Sequence, residues 1–253
     1  MHLPMPETPA DTAQARRAEG ARWRRALNLS LLAVLALAAV FAAQGAFDVR
    51  PWTVRPGAVE GLVGVLTAPL LHGGLSHLVS NAFALLVLGT LAGALYPRAL
   101  VRTLPLAWLG SGAVAWLLGG AGTHHLGASG VTHGLLFLVA TLGLLRRDRP
   151  SIAAMLIALL LYGGMLLTVL PREIGVSWPS HLGGAIGGLL GALLWRRADP
   201  LPARRRYSYE DDEEAVAAPD AELEPPAPAD VPVLWHRPAP TRGTVVPFPR
   251  RER

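Results

Sequence analysis

Six apolar stretches without a single Asp, Glu, Lys or Arg divide this chain, at approximately Ala26–Phe47, Ser76–Tyr96, Thr103–Gly119, Ser129–Leu145, Ser151–Leu170 and His181–Trp195. A helix needs about 20 apolar residues to cross a hydrocarbon core about 30 Å thick, and these runs approach or reach that length. Lipid offers the backbone no hydrogen-bonding partner, so each run must close its own bonds as a helix. The balance of 51% hydrophobic to 16% charged residues, with a mean hydropathy of +0.36, excludes an ordinary soluble domain. The fold expected is therefore all-α, a polytopic bundle of six transmembrane helices over residues 26–197.

Arginine placement orients the bundle. Arg16, Arg17, Arg22, Arg24 and Arg25 precede the first span, and Arg98 with Arg102, Arg146 with Arg147 and Arg149, and Arg196 with Arg197 occupy alternate connections. The other connections carry only Arg50, Arg55 and Arg172. The positive-inside rule then puts both termini in the cytoplasm. The first run is long and lacks a good cleavage site, which favours a span over a signal peptide. With no organelle transit signal evident, a bacterial inner membrane is the expected location. Residues 1–25 read as a cytoplasmic segment, and residues 198–253, rich in Pro, Ala and charge, as a disordered cytoplasmic tail.

The net charge of +5 and pI near 10.6 do not point to nucleic acid, because the arginines flank spans, where topology and anionic headgroups account for them. The chain has no Cys, which excludes disulfides and thiol chemistry within it. The sequence leaves the oligomeric state open.

Polar side chains inside a membrane are costly, so each invites a functional explanation. The second span opens with His77 and Asn81, one helical turn apart on one face, the fourth with Ser129 inside Gly127-Ala-Ser-Gly130, and the sixth with His181. Counted from the inner anchors at 1.5 Å per residue, Asn81, Ser129 and His181 lie at about 24, 25 and 22 Å, a common depth in the outer half of the bilayer. A serine hydroxyl becomes a useful nucleophile when an adjacent base takes its proton, and histidine is the usual partner. Ser129 and His181 are the candidate pair. His77, Asn81 and the Ser129 backbone N–H are candidate donors to the oxyanion that attack on a peptide carbonyl would form. No span holds an Asp or Glu, so the arrangement would be a dyad.

Taken alone, Ser129 reads more simply as a helix cap or a small packing residue, His181 as an interfacial histidine, and Asn81 as interhelical glue. Gly183, Gly184, Gly187, Gly188 and Gly191 give the sixth span a small face, and Gly130 and Gly134 offer a matching one on the fourth. Ser111 sits between glycines, with no histidine placed to activate it. The apolar run Leu62–Leu71 reads as an element in the outer interface.

The fragments His72-Gly-Gly-Leu-Ser-His77-Leu-Val-Ser-Asn81, Gly127-Ala-Ser129-Gly130 and His181-Leu-Gly-Gly-Ala-Ile-Gly187, in that order on alternate spans, resemble the rhomboid intramembrane serine proteases. The resemblance implies a six-helix rhomboid core with Ser129 as nucleophile, His181 as base, and His77 and Asn81 assisting the oxyanion. It gives His72 a supporting role in the loop. It further implies transmembrane protein substrates cleaved at small residues near the outer end of an unstable helix, without metal, organic cofactor or ATP. Two departures stand out. The family often stacks an aromatic residue on the catalytic histidine one turn after the nucleophile, where this chain has His133; and the Trp-Arg pair common in the first outer loop has no counterpart before His72. These departures motivate a second reading, a catalytically weak rhomboid-like protein that binds transmembrane helices. A third, a transporter relaying protons through its histidines or holding a metal at His72, His77, His124 and His125, is the weakest, because no acidic residue or cysteine joins them.

Overall fold

The computed structural model describes residues 13–173 and 175–200. The proposed tail from residue 201 onward and the first twelve residues lie outside the described residues. Helix α1 spans Ala13–Ala43, α2 Val63–Thr67, α3 Leu75–Leu95, α4 Pro97–Leu118, α5 Ser129–Arg146, α6 Arg149–Tyr162 and α7 Trp178–Trp195. No strand occurs among the described residues; Val54 and His125 form one isolated antiparallel bridge.

Except for α5, which starts at Ser129 as the fourth run does, the helices begin earlier than the uncharged runs. α1 starts at Ala13 and carries Arg16 to Arg25 in helical form, since Ala, Arg and Glu favour helix and no proline interrupts them. At 31 residues it is about 46 Å long, which leaves its basic end beyond the hydrocarbon. α4 starts at Pro97, in the position where proline's missing N–H costs nothing, so Arg98 and Arg102 belong to the helix and not to the connection the charge pattern suggested.

The orphan N–H groups of this first turn of α4 are capped from far along the chain. The Asp199 carboxylate accepts from the backbone N–H of Arg98 at 3.0 Å and of Ala99 at 2.9 Å. The Arg146 guanidinium donates to the carbonyls of Asp199 and Pro200, at 3.2 and 2.9 Å, and lies 5.3 Å over the Tyr96 ring. The start of α4 and the ends of α5 and α7 are thus tied together, and an arginine that reads as a topology signal also serves as a fastener.

By length and composition, α1, α3, α4, α5 and the segment from Arg149 to Val169 suffice to cross a membrane. α7 has 18 residues and opens on a polar first turn, and it is not among these segments. It lies in the interior, packed most extensively against α4 and α5, and a helix that meets other helices needs small faces more than apolar ones. A Cβ on Gly184 or Gly188 would overlap the carbonyls of Gly130 and Gly134 on α5. One on Gly183 would meet the Gly110 carbonyl, and one on Gly191 the Thr103 side chain, both on α4. The glycine face of α7, anticipated to meet α5, therefore serves two neighbours, α4 and α5. α1 packs mainly on α3, where Gly89 and Gly93 admit Ser30 and Ala26.

Leu88, Leu135, Leu136, Leu138, Val139 and Leu142 form the buried centre. Leu32 and Leu35 on α1 and Leu156, Leu160 and Leu161 on α6 point outward, the inversion expected where the surroundings are lipid. Between α1 and α3 the chain lies as short turns and α2. Trp108 and Trp116 of α4 hold this element by donating to the carbonyls of Leu66 and Ala58.

The fifth apolar run is not one α-helix. After Tyr162, at Gly163 and Gly164, it tightens into a 3₁₀ segment, Gly163–Val169. That change places two of its carbonyls beside the residues described next.

Candidate active site

The first turns of α3, α5 and α7 meet at one end of the bundle, and the polar residues singled out on the three spans converge there. Ser129 is the first residue of α5 and His181 lies in the first turn of α7. The close approach of Gly130 to Gly184 sets their separation. The Ser129 Oγ and His181 Nε2 are 2.9 Å apart. His181 Nδ1 lies 3.0 Å from the Thr168 carbonyl oxygen. A carbonyl only accepts, so Nδ1 carries the hydrogen and Nε2 presents its lone pair to the serine hydroxyl. A backbone carbonyl here orients the imidazole as a carboxylate does in a triad. Thr168 escaped the sequence reading because the group involved is main chain, exposed by a 3₁₀ turn that no side-chain pattern announces.

His133 stacks on His181, with ring centroids 3.9 Å apart and planes inclined by 13°. It occupies the geometry anticipated for an aromatic residue, and it is buried.

Gly127 has φ +119, a conformation that L side chains rarely adopt. A Cβ there would also lie 2.7 Å from His77 Nε2 and 3.7 Å from Asn81 Nδ2. The missing side chain lets the His77 ring pack against the backbone two residues before Ser129, with the Asn81 amide beside it. Asn81 is buried and its Nδ2 has no protein partner, a donor that a ligand oxygen would satisfy.

His72 lies in the connection before α3. Its backbone, not its ring, makes the hydrogen bonds: the Gln44 side-chain amide donates to its carbonyl at 2.8 Å and accepts from its N–H at 2.9 Å. Its ring packs edge-on against His77 at 5.1 Å and is 1% exposed, with both nitrogens unpartnered. Burial, with the nearby His77 adding to it, pushes the His72 pKa down to about 4. Gln44 was not singled out in the sequence, since a lone glutamine at a helix end carries no pattern.

A neutral buried histidine has a consequence for stability. The unfolded chain binds a proton at His72 near pH 6.5 and the folded chain only near pH 4, so folding loses stability as pH falls between the two. Equilibrium unfolding in detergent should show this slope, and His72→Phe should flatten it. An unchanged slope in the variant would remove His72 as its source.

Two of the four histidines proposed as an alternative metal site, His124 and His125, are engaged in hydrogen bonds. His124 Nδ1 pairs with Thr53 Oγ1 at 2.7 Å, and His125 bonds Thr123 and Ser177, at 2.9 and 2.6 Å. Among the described residues no group of three or more His, Cys, Asp or Glu is arranged to hold a metal ion. Ser111 is buried against Gly130 and shares a small cleft with His125, Gly127 and Ser180.

A family model, the Rhomboid domain, matches residues 59–198. The chain belongs to the rhomboid family. An uncharacterized protein of Mycobacterium tuberculosis (strain ATCC 25618 / H37Rv) is 39% identical to this rhomboid over 151 residues, which is 56% of this chain and 62% of the relative. An uncharacterized protein of Mycobacterium leprae (strain TN) is 38% identical over 150 residues, 56% of this chain and 59% of the relative. The match therefore spans less than two thirds of the length of these relatives. Membership and the helical bundle agree with an integral membrane protein.

Proposed function

We propose that this rhomboid is a serine endopeptidase that cleaves transmembrane proteins within the bilayer, with Ser129 as nucleophile and His181 as general base. The observation that carries this reading is the 2.9 Å contact between the Ser129 hydroxyl and the His181 nitrogen whose lone pair is free to receive its proton.

In this mechanism the Ser129 oxygen bonds to the substrate carbonyl carbon as its proton passes to His181 Nε2. The carbonyl oxygen becomes an oxyanion, held in this reading by Asn81 Nδ2, His77 and the Ser129 N–H beside Gly127. Collapse breaks the C–N bond, and His181 returns the proton to the departing amine. A water then gives a proton to His181 and attacks the acyl carbon, the ester bond breaks, and Ser129 recovers its hydrogen. No step draws on a metal or organic cofactor.

The arginine pattern supports placing this chemistry near the outer face, with both termini cytoplasmic, in a bacterial inner membrane. The substrates proposed are single-span proteins whose helices unwind readily near that face.

The test uses full-length protein in liposomes with a transmembrane substrate of weak helix propensity, and a fluorophosphonate probe. Cleavage and labelling should both occur in the wild type, and both should vanish in Ser129→Ala. Cleavage undiminished in that variant would remove Ser129 as the nucleophile. A wild type that captures the helix without cutting it would favour the helix-binding alternative.

A further inference from the structure

The ring of His133 does more than fill the place of an aromatic residue, because its two nitrogens must be satisfied. Nδ1 lies 2.6 Å from the Ser129 carbonyl oxygen. Nε2 lies 3.1 Å from the Met165 carbonyl oxygen and 2.9 Å from Thr168 Oγ1, whose own hydrogen points at Met165 O, 2.9 Å away. Carbonyl oxygens only accept. A neutral ring with its hydrogen on Nδ1 is served at Nε2 only if the Thr168 hydroxyl turns away from Met165. The imidazolium donates at both nitrogens with no rearrangement.

Among the described residues, the helices packed against α5 carry no carboxylate to balance such a charge. The titratable groups on the helices packed against α5 are His77 on α3, Arg98 and Arg102 on α4, Arg149 and Tyr162 on α6, and His181 on α7. The segments Ala68–Leu70 and Gly163–Val169 contribute none. The three arginines sit in the early turns of α4 and α6, at the end of the bundle opposite the site, and the Tyr162 hydroxyl donates to the Phe83 carbonyl. His181, 3.9 Å away, is the group a charge on His133 would act on first.

We propose that His133 is a positioning residue with a proton-dependent second role, an inference that rests on the hydrolase reading above. Neutral, it holds the His181 ring flat for Ser129. Protonated, it sets a positive charge against the ring that must itself become positive when it takes the serine proton. Like charges at that distance oppose one another, so the charged neighbour weakens His181 as a base and throttles hydrolysis as the outer face acidifies. A phenyl or phenol ring at this position would keep the stacking and lose the throttle.

The experiment compares wild type, His133→Phe and His133→Tyr as full-length proteins in zwitterionic liposomes. Cleavage kinetics and fluorophosphonate labelling rates are followed from about pH 5 to about pH 8, each normalised to its own plateau. The wild-type rate should fall on the acid side with a midpoint about one pH unit above that of either variant, in kcat and in labelling rate but not in KM. Midpoints that coincide in all three proteins would overturn the inference while leaving the hydrolase reading intact. A wild type that neither cleaves nor labels at any pH would overturn the hydrolase reading, and this inference with it. If neither variant folds, ring-nitrogen NMR of the wild type decides: a His133 that titrates along with the rate supports the inference, and one that stays neutral throughout overturns it.

Discussion

His181→Ala is expected to lower kcat for peptide cleavage by about 10⁴-fold and to abolish fluorophosphonate labelling, with little change in KM. The size of the effect follows from the lack of a second base. His133 is the nearest imidazole to His181, but its nitrogens face the Ser129 and Met165 carbonyls and the Thr168 hydroxyl, and its ring is parallel to the one removed. His77 packs against Gly127, beside which the proposed oxyanion lies. Without His181 the hydroxyl would have to lose its proton unaided in a poorly solvated site. Loss of the stacked ring should cost about 1 kcal/mol of stability, so an unfolding measurement on the same preparation separates lost chemistry from lost fold. A variant that cleaves within tenfold of the wild type would dismiss His181 as the base.

The second large effect is expected at Gly184, well inside the bundle. Gly184→Leu should destabilise the protein by about 3 kcal/mol or more, and cleavage should fall with it. Even a Cβ at this position overlaps the Gly130 carbonyl and lies 3.0 Å from the Gly130 Cα, and these are backbone atoms that cannot step aside. α7 would have to move away from α5. Ser129 and His181 are carried by those two helices, so the separation that relieves the overlap also lengthens the 2.9 Å contact. Gly164→Ala is the control: a Cβ there meets nothing within 4 Å, and its effect should stay within about 0.5 kcal/mol. Equilibrium unfolding in mixed micelles, paired with cleavage rates, would check both. A Gly184→Leu protein as stable as the Gly164→Ala control would mean that the tight α5–α7 contact is not a feature of the folded protein.

Much of this molecule could be read from the order of its residues. The uncharged runs dictated helices, since a chain in lipid has no other way to satisfy its backbone, and their spacing dictated a bundle. His77, Asn81, Ser129 and His181 were conspicuous because polar groups are expensive where apolar ones are the rule. The small face of α7 was also legible, because glycines that recur on one side of a helix declare close packing.

Other features depended on contacts between distant parts of the chain. Asp199 looks like the first residue of a polar tail, yet it caps the start of α4, about one hundred residues earlier. Thr168 looks like an incidental polar residue in an apolar run, yet its carbonyl sets the tautomer of His181. Gln44 follows directly after α1 and pins the backbone of His72 before α3.

Periodicity and transfer energy act along a single segment, so the sequence alone determined where the chain spans, which residues pay to be in the membrane, and which helix face is small. A hydrogen bond to a main-chain carbonyl carries no side-chain signature. Its length depends on how far two helices can approach, so only the tertiary structure decided which nitrogen of His181 faces Ser129 and what surrounds His133.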